Sequence, residues 1–275
     1  MSQAGDAPNW MAIRTIVGRD IRAVRRSKAI VLPMILVPVV LLLLLPFGLG
    51  VMARNAPTEQ VQNLLSSSLV KGLARPILEL PEREQLVVLV LGYLMSPLLL
   101  VIPLMVSAVL AADAFAGEKE RRTLEVVLHL PISDRDLFLA KVLTAFLPAV
   151  AITWIGAAIY SAICNLVAWP ATGRAFLPFS QFLVMILWIA PAVALLALGL
   201  LVIVSSRART TQEANQLGGA VILPLIFVAA AQASALMLLP VAGVIAVGAL
   251  IWALALTLLW INSRRFTRDR LAATT

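Results

Sequence analysis

Long apolar blocks alternate with short polar segments along nearly the whole chain. Six of these blocks are long enough to cross a bilayer as helices, at about 29–53, 86–112, 138–165, 179–204, 216–236 and 240–262. A helix rises 1.5 Å per residue, so about 20 apolar residues cover the roughly 30 Å of hydrocarbon. The pattern predicts an all-α integral membrane protein, with a six-span transmembrane domain over 29–262 between a leader of residues 1–28 and a tail of 263–275.

Three polar stretches carry their own pattern. In the leader, Trp10, Ile13, Val17, Ile21 and Val24 recur at steps of three and four, while Arg14, Arg19, Arg22, Arg25 and Arg26 fill most of the remaining surface. This spacing predicts an amphipathic helix lying in the headgroup layer, with Trp10, Ile13, Val17, Arg22 and Arg25 as its interfacial residues. A basic segment that only sets topology would carry the same charges; the apolar stripe favours an ordered connecting helix that also touches a cytoplasmic partner. The second stretch lies between the second and third blocks. Glu118 onward suits a short helix that Pro131 stops, and Ser133 is placed to cap the next helix through Asp134 and Asp136 toward Lys141. Beyond the first span, residues 54–85 show a helical stripe of Val61, Leu64, Leu65 and Leu69, broken at Pro76 and Pro81, expected as a short lid on the outer ends of the spans.

Composition agrees with the blocks. The chain is 61% hydrophobic and 13% charged, against roughly 25% charged in soluble domains, and its mean hydropathy is +0.97. Charge placement gives orientation, because cytoplasmic flanks keep Lys and Arg. Arg14, Arg19, Arg22, Arg25, Arg26, Lys28, Lys119, Arg121, Arg122, Arg135, Lys141, Arg207, Arg209, Arg264, Arg265, Arg268 and Arg270 fall on one face. Arg54, Lys71, Arg75, Arg83 and Arg174 fall on the other. Both termini and the 113–138 loop are therefore expected in the cytoplasm. The net charge of +8 reads as this signal and as contact with lipid headgroups, not as a nucleic-acid footprint. The first block and its basic leader are too long for a cleaved signal peptide and are read as a retained span.

The spans are poor in chemistry. No ionisable residue stands at mid-span, which disfavours a proton- or sodium-coupled carrier; Asp113, Glu118 and Glu213 lie at cytoplasmic ends, and the interior offers Ser96, Ser107, Thr144, Gln181 and Gln232. One histidine and one cysteine leave no internal disulfide, no CxxC site and almost no acid-base or metal chemistry. His129 is read as a structural residue. Pro33, Pro38, Pro46, Pro97, Pro103, Pro148, Pro191 and Pro224 interrupt the spans and predict kinks. Gly218, Gly219, Ala220 and the alanines from Ala229 to Ala235 are surfaces where helices can approach closely. There is no GxxxxGK[ST] loop and no soluble region large enough for an ATPase domain, so any energy comes from a partner.

The run AFAGEKERRTLEVVLHLPISDRDLFLAK resembles the signature of the ABC type-2 (type V-like exporter) permeases: an Ala-rich exit from the second span, a Gly-Glu-Lys-Glu core, Thr-Leu-Glu, a Leu-rich turn to Pro, and a Lys entering the third span. A second similarity lies in SSRARTTQEANQLGGAVILP, where Ser205 to Arg207 end span four and Ala214 and Gln216 open span five. The six-span layout and the basic leader agree with the same family.

The resemblance implies a permease subunit of an ATP-binding cassette exporter in a prokaryotic cell membrane (inner or plasma membrane). It implies pairing with a second permease chain, identical or homologous, and with two cytoplasmic ATPase subunits that bind ATP and Mg²⁺, this chain holding no cofactor and no catalytic site. It makes Glu118, Lys119, Glu120, Arg121, Arg122, Thr123, Leu124, Glu125 and Leu128 the coupling helix, with Glu118, Glu120 and Glu125 as polar anchors and Lys141 at the foot of span three. The chain departs from the family in having Arg122 where Gly is frequent, which suggests continuous helix there. Its connection near Leu238 to Ala242 is also too short for the re-entrant hairpin of some relatives. A rival reading is a membrane scaffold or assembly factor that recruits a soluble partner through the 113–138 loop. The apolar spans fit a lipid-like or amphipathic cargo better than a sugar or an ion.

Overall fold

The computed structural model describes residues 8–57, 77, 79–114, 132–205, 212, 213, 216, 219, 220 and 239–265. Among these the chain is helical without strands, and five helices are long and apolar enough to cross a membrane: Met34–Arg54, Glu84–Ala112, Asp134–Thr172, Ser180–Val204 and Val241–Arg264. They coincide with the first four apolar blocks and the last one. Most of the expected fifth span, 216–236, lies outside the described residues, as do 206–211 and the 115–131 segment.

Helix ends follow local chemistry. The leader forms helix α1, Trp10–Arg26, whose first turn is capped by the Asn9 side chain accepting from the Ala12 N–H at 3.1 Å. Arg25 and Arg26 sit in its last turn, where cations complement the carbonyl end of the helix dipole. Ser27, in extended conformation, turns the chain into span one. Pro81 stands as the N-cap of the helix that opens span two at Glu82, while Val61, Leu64, Leu65, Leu69 and Pro76 fall outside the described residues.

Span three is longer than the pattern predicts. It runs from Asp134 to Thr172 rather than 138–165, because Ser133 Oγ caps it by accepting from the Asp136 N–H at 3.0 Å, and Gly173, at φ 60°, ends it in the left-handed conformation. Its 39 residues make a rod of about 58 Å, nearly twice the hydrocarbon thickness, continuous through Pro148 and Pro170.

Three other prolines act differently from simple kinks. Val40–Leu44, Leu89–Met95 and Met185–Ile189 are π-helical, and each widened stretch ends just before a proline: Pro46, Pro97 and Pro191. A proline cannot donate to the carbonyl four residues back and its ring crowds that carbonyl, so the preceding turn opens to five-residue bonding. The Leu45 N–H reaches the Val40 carbonyl and the Ala190 N–H the Met185 carbonyl. In span two the π stretch passes into a 3₁₀ turn, Ser96–Leu100, before the α-helix resumes at Val101.

Spans two and four are the most enclosed of the described helices, and spans one and the last the most open. The core gathers Leu91, Leu99, Ile102, Leu104, Tyr160, Met185, Ile189, Leu198 and Leu201. Close approach depends on glycines the pattern does not single out. A Cβ at Gly156 would stand 2.6 Å from Leu42 Cδ1, and one at Gly199 would stand 2.8 Å from Leu258 Cδ2. Gly199 also takes a 2.7 Å hydrogen bond on its carbonyl from the buried Asn262 amide, tying the last span to span four.

Gly199→Leu is expected to force these two helices apart and cost about 1–3 kcal/mol, read as a lower melting temperature of the detergent-solubilised protein. Gly18→Ala, where a Cβ meets nothing within 4 Å, should leave that temperature unchanged or raise it slightly, since alanine favours helix over glycine.

Candidate functional site

The described residues that flank the expected site in the chain are the exit of span two, ending at Ala114, and the entry of span three, on which α1 packs. Glu118, Lys119, Glu120, Arg121, Arg122, Thr123, Leu124, Glu125 and Leu128, together with His129, lie outside the described residues.

Helix α1 does not lie free against the bundle; it is docked on the first turns of span three. Ile13, Ile16 and Val17 are buried against Leu137 and Ala140, with Ile21, Ile132, Leu139 and Leu143 at the border of the same cluster. Of the expected stripe, Ile13 and Val17 are buried in this cluster and Ile21 borders it. Trp10 is 63% exposed, because it opens the helix and the Leu137–Ala140 surface is reached one turn later, while Ile16 takes a buried place. The basic face points away: Arg14, Arg19, Arg22, Arg25, Arg26 and Lys28 are exposed, with Arg22 Nε donating to the Gly18 carbonyl at 3.0 Å.

An ion pair joins the two helices. Lys141 Nζ lies 3.1 Å from Asp20 Oδ2, with the lysine side chain 4% and the aspartate side chain 14% exposed. The second oxygen of Asp20 pairs with Arg19 Nε at 2.9 Å, so one carboxylate faces two cations. At the start of α1 the Asn9 N–H donates to Asp136 Oδ2 at 3.4 Å, a longer contact between the same two elements. Asp113, where span two leaves the bundle, is also buried.

Lys141 was expected at the foot of span three; its partner was not anticipated. A signal existed, since Asp20 is the single acidic residue among the arginines of α1. A carboxylate in such a segment needs a reason, and neutralising a buried lysine supplies one.

The far end of the bundle is held by polar clamps. Arg174 pairs with Glu84 at 3.1 Å between the end of span three and the start of span two. Asn165 accepts from the Phe176 and Leu177 N–H groups at 3.0 and 3.1 Å and donates to the Leu177 carbonyl at 2.7 Å, fixing the loop into span four. Cys164 is buried beside it.

The family model described as ABC-2 family transporter protein matches residues 14–267. No curated protein and no solved structure matches the chain.

Breaking the α1 pair from one side should be costly and from both sides tolerable, because a buried charge is penalised chiefly when its partner is gone. Lys141→Ala, which leaves Asp20 still paired with Arg19, is expected to destabilise the docking of α1 by about 1–3 kcal/mol, seen as faster proteolysis within residues 8–28. The double change Asp20→Leu with Lys141→Met should restore protection. Equal protection in the wild type and Lys141→Ala would show that the apolar cluster alone holds α1.

Proposed function

The chain belongs to the ABC-2 family of transporter proteins, and we propose that it is the permease subunit of an ATP-driven exporter, powered by separate cytoplasmic ATPase subunits. The family match over 14–267 makes it a multi-pass membrane transport protein. The observation that supports the finer reading is the docking of α1 on the foot of span three, the helix that follows the segment with Glu118 to Leu128 in the chain.

In this mechanism the ATPase grips the 115–131 segment as a coupling helix, through Glu118, Glu120 and Glu125, with α1 supporting the same surface. A push there meets two attachments. On one side it reaches span three, whose first turns are locked to α1 by Ile13, Ile16, Val17 and the Lys141–Asp20 pair. On the other it reaches span two, which contains a π stretch and a 3₁₀ turn within its length. A continuous rod and an interrupted one respond differently to the same displacement, and that difference opens and closes a path between them. ATP and Mg²⁺ stay on the partner, and this chain supplies only the moving wall. A paired second permease chain completes the path, with both termini on the ATPase side.

Charge reversal tests the energy input. Glu118→Lys with Glu120→Lys should abolish co-purification of the full-length chain with the Walker-motif ATPase that the wild type retains, while the chain still accumulates in the membrane. A complex that survives the double reversal would sink the coupling-helix assignment. A chain that co-purifies with no ATPase in the wild type would favour the scaffold reading.

A further inference from the structure

At the end of the bundle away from α1, spans one and three leave a groove of about 290 Å³ lined by Phe47, Val51 and Arg54 from one helix and Ile163, Leu166 and Val167 from the other. Its floor is fixed by close helix contact: a Cβ on Gly50 would stand 2.7 Å from Val167 Cγ1, so the two helices nearly touch behind the opening. The groove opens sideways, with Leu166 74% exposed at its rim. The surface it offers is almost wholly aliphatic and aromatic, with one guanidinium at the top.

The position of that guanidinium matters. Arg54 is the last residue of span one, and Trp169 is exposed near the end of span three, two residue types that gather where hydrocarbon gives way to headgroups. From Phe47 to Arg54 is seven residues, or about 10 Å along the helix. An apolar slot of that length runs down from a cation at the headgroup level. Among the described residues no carboxylate pairs with Arg54. A molecule with an acyl chain below and a phosphate above matches the slot in both shape and charge, and a guanidinium can hold a phosphate through two parallel hydrogen bonds.

We propose that this groove is a phospholipid-binding site. One acyl chain lies between Phe47 and Val51 on one side and Ile163, Leu166 and Val167 on the other, and the diester phosphate sits on Arg54. The lipid comes from the leaflet on the side of the membrane opposite α1, and it fills the seam between spans one and three. The site is separate from the coupling end and does not depend on the transport reading.

The test is native mass spectrometry of the full-length chain, delipidated in detergent and then given phosphatidylglycerol, phosphatidylethanolamine or diacylglycerol. Both phospholipids should be retained, and diacylglycerol, with the same chains and no phosphate, about tenfold less. Arg54→Gln should bring the phospholipids down to the diacylglycerol level, and Arg54→Lys should keep an intermediate share. Val51→Trp, which fills the slot, should abolish retention of all three at an unchanged melting temperature. Equal retention of diacylglycerol and phospholipid, or no effect of Arg54→Gln, would overturn the phosphate contact. Undiminished binding in Val51→Trp would overturn the groove itself. A disulfide formed between two chains by Leu166→Cys in native membranes would assign the groove to a second copy and overturn the lipid.

Discussion

Every backbone carbonyl inside hydrocarbon must find a donor within the protein, and the packing of these spans follows from how that demand is met where proline removes the usual donor. Pro191 cannot serve the carbonyls behind it, so the turn Met185–Ile189 widens and its oxygens turn outward. The Ile186 carbonyl accepts from Trp154 Nε1 at 3.1 Å, and the Trp188 carbonyl from Trp252 Nε1 at the same distance. The donors come from span three and from the last span, so a break within one helix becomes a bond between three. Trp188 in turn donates to the Ile245 carbonyl at 3.2 Å. Span two repeats the device ahead of Pro97, where the Leu91 carbonyl accepts from Tyr160 Oη at 2.5 Å and from Ser96 Oγ at 3.0 Å. Aromatic side chains are suited to this role because each presents a polar tip on a large apolar body.

A different balance operates at the α1 end. Lys141 enters a buried place one turn after Asp136 and Leu137, and burial alone would disfavour its charge. Asp20 offsets that penalty when α1 lies in register on span three, so the ion pair contributes to selectivity for one docking geometry. The apolar cluster around Ile13, Ile16 and Val17 supplies the attraction. Together they make the leader part of the bundle, with its arginine face left exposed.

The spans were legible because hydropathy over about 20 residues is a strong and local signal. The caps at Ser133 and the break at Pro81 were legible for the same reason, each depending on a few adjacent residues. The glycine contacts at Gly50, Gly156 and Gly199 were not, nor were the bonds from Tyr160 to Leu91 and from Trp252 to Trp188, which join residues 69 and 64 positions apart. No local pattern announces a partner at that distance. The prolines could be read as interruptions, but whether one widens a turn, as Pro46, Pro97 and Pro191 do, or is absorbed in a continuous helix, as Pro148 and Pro170 are, depends on what neighbouring helices offer. The proposed coupling segment is the reverse case: Glu118 to Leu128 stand out in the sequence, and their placement lies outside the described residues.

These arrangements distribute stiffness unevenly, and the distribution bears on transport. Spans one, two and four each contain a widened turn, while span three is α-helical over about 58 Å and carries the donors Trp154 and Tyr160 that stabilise its neighbours' openings. On the permease reading, displacement at the foot of span three is delivered undiminished to those two side chains. It therefore acts on the hydrogen bonds that hold the widened turns of spans two and four in their present form. Breaking either bond strands a carbonyl in an apolar setting, which costs more than the bond itself contributes. Spans two and four thus have reason to move with span three or to exchange one complete set of bonds for another. That requirement favours two discrete arrangements of the bundle over a continuum, which is the behaviour a transporter driven in cycles needs.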